Sequence, residues 1–257
     1  MTSLARRIRE TQVEPGSLAL FWISQAGFVY KTPGNQVVYI DPYLTDCVER
    51  LYGFKRIMGT PITAEEAEAD LVVSTHSHED HFDIDAIPVL ARNPRTLFVG
   101  APDCRAKYQA AGIPADRYLI MERGKTLELG EVRLTGVYAD HGELAPDALG
   151  VLLTVGDITA WHVGDSAYRP DLWQDIFGMG VDIVVPPING AYGNMNGVEA
   201  AWLARDARAR VAIPCHFWMF VEHNGNPAQF LEAMKTYAPE VRPLLLTQGE
   251  MFVYRKG

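Results

Sequence analysis

The chain has 257 residues, 48% of them hydrophobic and 21% charged. That balance is the balance of an ordinary globular α/β enzyme and excludes a disordered or fibrous chain. The formal net charge of −9 argues against a nucleic-acid partner, because affinity for a polyanion comes mainly from neutralised phosphates.

The basic start, Arg6-Arg7-Ile8-Arg9, is soon followed by Glu10 and Glu14 and reads as a solvated terminal turn. It has no apolar core of the kind a secretory signal needs. No apolar run approaches the ~18 residues of a spanning helix. Cys47, Cys104 and Cys215 are odd in number and far apart, which reads as free thiols in a reducing compartment. The expectation is a soluble, cytoplasmic chain with no membrane partner.

Three β-rich runs follow, 18–23, 28–31 and 36–40, broken by Gly27 and by Pro33-Gly34-Asn35. They read as an antiparallel meander, ended by Asp41-Pro42. Residues 64–69 predict a short exposed helix, and 70–74 a buried strand. Helix 85–91, with Asp83 or Asp85 near its start, strand 96–100 and helix 102–111 come next, the last closed by Gly112. A second β-rich block covers 126–129, 132–138, 151–155 and 159–163. Helix 170–177, strand 181–185, helix 198–208 with Asn196 as N-cap, strand 211–214, helix 227–237 and strand 251–254 complete the chain. The order is meander, βα units, meander, βα units. Two packed sheets with helices outside, in one domain spanning 1–257, satisfy it.

The run His76-Ser77-His78-Glu79-Asp80-His81 stands at the C-terminal end of strand 70–74. Ligands in α/β proteins gather beyond the carboxyl ends of strands. His76 and His78 fall on one face if extended, so two imidazoles can hold one divalent ion. Asp80 and His81 can reach a second ion or the far side of the first. Such nitrogen-plus-carboxylate sets suit Zn²⁺, Mn²⁺ or Fe. Three of the seven histidines lie within six residues, which chance clustering does not readily give.

His-x-His-x-Asp-His after an apolar strand resembles the signature of the metallo-β-lactamase superfamily. The resemblance implies an αββα sandwich of two mixed sheets flanked by helices. It also implies the remaining ligands, here His141 in Ala-Asp-His-Gly, Asp165 in Gly164-Asp-Ser166 and His216 in Pro214-Cys-His-Phe217. On that pattern His76, His78 and His141 hold one metal, Asp80, His81 and His216 a second, and Asp165 bridges them. Asp80 and Asp165 are then the catalytic carboxylates of a hydrolase that uses water activated by two divalent ions. Asp41 matches a residue that orients a ligand from beneath the site, or else simply ends its strand. His162, inside the apolar run 159–163, reads as a core histidine.

Within the superfamily, residues 12–22, Val163-Gly-Asp-Ser-Ala-Tyr168 and Ile213-Pro-Cys-His-Phe-Trp218 with Asn226-Pro227 resemble the L-ascorbate-6-phosphate lactonase-like branch. That implies a lactonase acting on a sugar-acid type of cyclic ester, and the branch often forms homo-oligomers. This chain is shorter than the sugar-phosphate lactonases, which puts the phosphate in question. Tyr43, Asn189, Tyr192, Asn194, His223 and Asn224 are candidates to line a pocket for this small-molecule substrate. A phosphodiesterase, a thioester hydrolase, an iron-dependent oxygenase and a non-catalytic metal- or ligand-sensing module are the competing readings.

Overall fold

A computed structural model of the chain describes residues 3–256. Two seven-stranded sheets carry the architecture. The first contains β1 (Ser17–Ser24), β2 (Gly27–Lys31), β3 (Val37–Ile40), β4 (Leu71–Ser74), β5 (Leu97–Gly100), β6 (Tyr118–Ile120) and β14 (Met251–Arg255). Its order is β14-β1-β2-β3-β4-β5-β6. The second contains β7 (Thr126–Leu129), β8 (Val132–Tyr138), β9 (Leu149–Val155), β10 (Ile158–His162), β11 (Ile183–Val185), β12 (Val211–Ala212) and β13 (Arg242–Pro243). Its order is β13-β12-β11-β10-β9-β8-β7. In each sheet, antiparallel pairing on one side changes to parallel pairing on the other, at β3–β4 in the first and β10–β11 in the second. The meander-then-βα order of each half produces this change directly.

One hydrophobic core joins the two sheets, from Leu18, Phe21 and Val73 in the first to Leu153, Trp161 and Val184 in the second. Burying each such side chain contributes about 1.5–3 kcal/mol. Strands β1 and β2 are buried along their whole length. They therefore lack the apolar–polar alternation of a half-exposed strand and read as continuous apolar runs.

The helices are α1 (Leu4–Glu10), α2 (Cys47–Tyr52), α3 (Ala86–Leu90), α4 (Cys104–Ala110), α5 (Gln174–Met179), α6 (Gly197–Asp206) and α7 (Pro227–Tyr237). The first corrects the sequence reading. Residues 4–10 form a helix with Leu4 and Ile8 buried one turn apart, and Ser3 caps its start. Lys31 Nζ donates to the carbonyls of Ile8 and Arg9 at 2.7 Å each, satisfying the helix end from β2. A distant strand thus turns a basic, apparently solvated segment into a docked helix. Residues 64–69 form only a turn, closed by Thr63 and Glu66. With no apolar stripe to bury, helix propensity alone does not extend it. The expected helix 170–177 divides into a 3₁₀ turn, Pro170–Leu172, and α5. Helix α6 has the expected Asn196 cap, completed by Glu199 as a capping box. All three cysteines are buried and free. Among the described residues, no helix is long and apolar enough to cross a membrane.

Candidate metal centre

The chemistry-bearing residues lie just beyond strand ends on one side of the two sheets. The histidine loop follows β4, Asp41 follows β3, His141 follows β8, Asp165 follows β10 and His216 follows β12. The loop is pinned on both flanks. Asp41 Oδ1 accepts from Thr75 N at 2.8 Å and Asp41 Oδ2 from Thr75 Oγ1 at 2.7 Å. Asp103 Oδ2 accepts from Ser77 N at 3.0 Å, and Lys107 Nζ donates to Glu79 Oε1 at 2.6 Å. Within the loop, His81 N and Phe82 N both donate to His78 O, a tight turn that brings His81 back beneath His76.

Ligating atoms of three groups converge, each within 4.8 Å: His76, His78 and His141; His76, His81 and Asp165; Asp80, His216 and His223. His76 Nε2 lies 3.0 Å from His78 Nδ1. Asp165 sits between the two halves of the cluster. Its Oδ1 is 3.3 Å from His81 Nε2, and its Oδ2 is 3.2 Å from His216 Nε2 and 3.7 Å from His141 Nε2. Asp80 Oδ2 is 3.5 Å from both His81 Nε2 and His216 Nε2. All seven residues of the expected ligand set therefore meet at one place.

The hydrogen-bond accounting of the cluster does not close with protein atoms. His81 Nε2, His141 Nδ1, His216 Nδ1 and Asp165 Oδ1 are buried without a partner, although buried polar groups nearly always find one. His81 Nε2 and Asp165 Oδ1 face each other across the cluster, as two ligands of a shared cation would. The donors fit a divalent metal.

Electrostatics agree. Burial opposes ionisation of Asp80 and Asp165, yet the imidazoles of His81 and His216 hold both carboxyls well below their usual range. Burial likewise disfavours the charged form of His216, but Asp165 and Asp80 push it up to about 9. His81 is raised in the same way. Burial and His81 instead lower His76, while burial and the charge of His216 bring His223 down to about 4. Two buried carboxylates held in the charged form give the cluster negative charge that a cation can meet.

Asp41 is placed where the orienting reading expects it. It is fully buried and accepts from His81 Nδ1 at 2.8 Å, fixing the ring so that Nε2 faces the cluster. His162 is a core histidine, as read, and also lies behind the same carboxylate, its Nε2 3.5 Å from Asp41 Oδ2. Tyr30 Oη is 3.5 Å from its other ring nitrogen.

A cavity of about 250 Å³ opens onto the cluster, lined by Val48, Tyr52, Phe54 and Leu144 as well as by the ligands. Asn189, Tyr192 and His223 line it as expected. Tyr43 does not. Its ring is buried among Cys47, Val48, Met219 and Phe220, under the Arg56 guanidinium. Asn224 is absent from the lining too, and its carbonyl accepts from Trp218 N. Asn194 instead donates to Asp165 Oδ2 at 2.8 Å. The sequence reading missed Gln25, whose Nε2 lies 2.7 Å from Asp80 Oδ2. Its signal was a polar Ser24-Gln25 pair inside an otherwise apolar meander. Phe54 was missed as well, and an isolated aromatic in a loop gives no signal.

The family model of the beta-lactamase superfamily domain matches residues 19–216, most of the chain and nearly every residue of the cluster. The chain belongs to this superfamily. Its two seven-stranded sheets flanked by helices are the metallo-β-lactamase fold. This superfamily member is 27% identical over 254 residues to a UPF0173 metal-dependent hydrolase of Polynucleobacter asymbioticus, covering 91% of this chain and 86% of the relative. It is 28% identical to a relative of the same description from Rubrobacter xylanophilus, over 91% and 96% of the two chains. Among solved structures, Igni18, a metallo hydrolase of Ignicoccus hospitalis, superposes with a TM-score of 0.74 at 20% identity, over 94% of this chain and 100% of that one. An isothiocyanate hydrolase from Delia radicum gut bacteria gives 0.75 at 18% identity, over 92% and 99%. At such identities the structures establish a shared fold and leave the substrate open.

Proposed function

We propose that this metal-dependent hydrolase opens a lactone with an apolar body and no phosphate, at a site holding two divalent ions, zinc or manganese, with iron also compatible with the donors. The observation that carries the reading is the cavity beside the cluster. Its wall is built from Val48, Phe54, Leu144 and Tyr192, and its lining includes no Lys or Arg. Beyond the metal cations themselves the lining offers a phosphate no Lys or Arg, and Glu79 at its edge is already paired with Lys107. The wall therefore favours an uncharged ester over a sugar phosphate or a phosphodiester, and an apolar lactone over a polyol one.

When bound, two divalent cations acidify water and polarise a carbonyl. The chain's own residues do the rest. Asp165 reaches both halves of the cluster with its two oxygens, and Asn194 holds one of them. Asp41 keeps His81 in the tautomer that turns Nε2 inward. Asp80 borders the cavity, as Asp165 does, and has the more accessible side chain of the two. It is placed to take a proton and return it to the leaving alkoxide.

Elemental analysis of the purified protein, with turnover on an alkyl lactone, a sugar lactone, a phosphodiester, a thioester and an isothiocyanate, tests the reading. About two metals per chain and fastest turnover of the alkyl lactone are expected. Metals with turnover of the phosphodiester alone would replace the substrate class. A protein that takes up no metal after reconstitution would return the sensing-module reading.

A further inference from the structure

We propose that Gln25 and His223 are additional ligands of the metal held by Asp80 and His216, giving that half of the centre a larger donor set than the three-histidine half. The inference rests on the reading of the cluster as a dinuclear metal site and goes beyond its expected seven ligands.

Gln25 sits at the tip of the β1–β2 turn, completely buried. Its side chain is aimed into the cluster. Nε2 lies 2.7 Å from Asp80 Oδ2, 3.1 Å from His223 Nδ1 and 3.2 Å from His216 Nε2. A primary amide nitrogen has two hydrogens for these three neighbours, while Gln25 Oε1 has no partner among the described residues. The two ends of an amide have the same shape, and turning the group over changes no heavy-atom position appreciably. Turned over, Oε1 joins Asp80 Oδ2, His216 Nε2 and His223 Nδ1, and four lone-pair donors face one point. Such a set is repulsive around nothing and favourable around a divalent cation, for which mixed oxygen and imidazole donors are suited.

The backbone is built to hold both residues there. Gln25 O accepts from His216 N at 3.0 Å and from Trp22 Nε1 at 3.0 Å, tying the turn to the last ligand. Gln25 has φ of 49° and Ser24 of 141°. The other side is the compact loop 216–225, which folds His223 back so that its ring stacks on His216 with centroids 5.0 Å apart and planes 12° apart. His216, Trp218 and Asn224 all have φ between 55° and 59°. Left-handed backbone at non-glycine residues persists only where surrounding structure enforces it, and it gathers at functional sites. Two separate strained segments deliver their polar side chains to one point.

The test uses His223→Phe, which keeps the ring packed against Phe54 and Phe220 and removes its nitrogens. It also uses Gln25→Met, near in shape but without the amide, and Gln25→Glu, which keeps an oxygen donor. Metal content is measured after dialysis against a graded chelator, and the visible spectrum is recorded after loading with Co²⁺, whose d–d bands report donor number. The expected result is that His223→Phe and Gln25→Met each weaken one of the two metals at least about tenfold, the scale of loss for a group supporting a metal site. The other metal stays as tight as in the unaltered protein, the Co²⁺ bands change, and Gln25→Glu retains both metals. If Gln25→Met does not fold, as circular dichroism would reveal, His223→Phe carries the test alone. Two metals held with unaltered affinity and unaltered Co²⁺ bands in His223→Phe would overturn the inference and leave the function standing. An unaltered protein that binds no metal would overturn both.

Discussion

At the scale of single residues, Asp41 ends its strand directly beneath the candidate metal site. Its carboxylate accepts from Thr75 and from His81 Nδ1, so one group shapes the loop and fixes a ligand ring. Burial would raise its pKa, but His81 and His162 beside it hold it well below the usual carboxylate range. Replacement by the isosteric Asp41→Asn keeps the size and loses the charge. The expected outcome is a roughly 10–100-fold loss of metal affinity, the cost of removing such a supporting partner, read by chelator competition. Unchanged affinity would reduce Asp41 to a turn residue. At Asp165, which touches both halves of the cluster, Asp165→Ala is expected to lose one metal and nearly all hydrolysis. Full turnover with both metals retained would remove its bridging role.

Among the elements, the β1–β2 turn couples packing to the site. A Cβ placed on Gly27 would lie 2.9 Å from Ile23 Cγ1 and 3.0 Å from the carbonyls of Asp41 and Ser24. Gly27→Ala therefore forces the turn away from the end of β3, with Gln25 on one side and Asp41 on the other. A destabilisation of about 1–3 kcal/mol is expected, as for other overpacked interiors, together with weaker metal binding. A denaturant titration and a metal titration of the same variant check the two effects. By contrast, Asn196→Ala removes the cap of α6, whose side chain accepts from Val198 N and Glu199 N. It should cost about 1 kcal/mol with turnover unchanged, because the site draws its residues from strand ends and loops.

For the whole molecule, metal uptake and stability are linked. The candidate ligands come from separate segments between residues 76 and 223, so the complete donor set exists only in the folded chain. A metal that binds only the folded state stabilises it by about 2.7 kcal/mol at a concentration 100 times its Kd. The melting temperature should rise with added Zn²⁺ or Mn²⁺ and fall on chelation, without change in secondary structure. A melting temperature indifferent to both would mean that no metal is held by the native state.

Much of the fold was legible because local chemistry and long-range packing agreed. The alternation of β-runs and βα units, the Asn196 cap and the span of α7 all follow from patterns within a few residues. That seven candidate ligands would gather was legible because histidine is scarce in this chain and clustering of such residues next to an apolar strand has a chemical meaning. What failed depended on distant partners. The helix at 4–10 needs Lys31 to satisfy its end, and the segment 64–69 buries only alanines such as Ala64 and Ala69 and forms no helix. Tyr43 lies beside the site in sequence yet packs beneath the cavity wall. Gln25 carries no metal-binding signature and matters only because the β1–β2 turn meets the loop that bears His216 and His223. The sequence by itself determined most of the strands, though not β6 or β13, and the family resemblance, since each is written in short-range pattern. Only the tertiary structure decided which buried polar groups share one point in space, because that convergence is set by how two sheets pack and leaves no local trace.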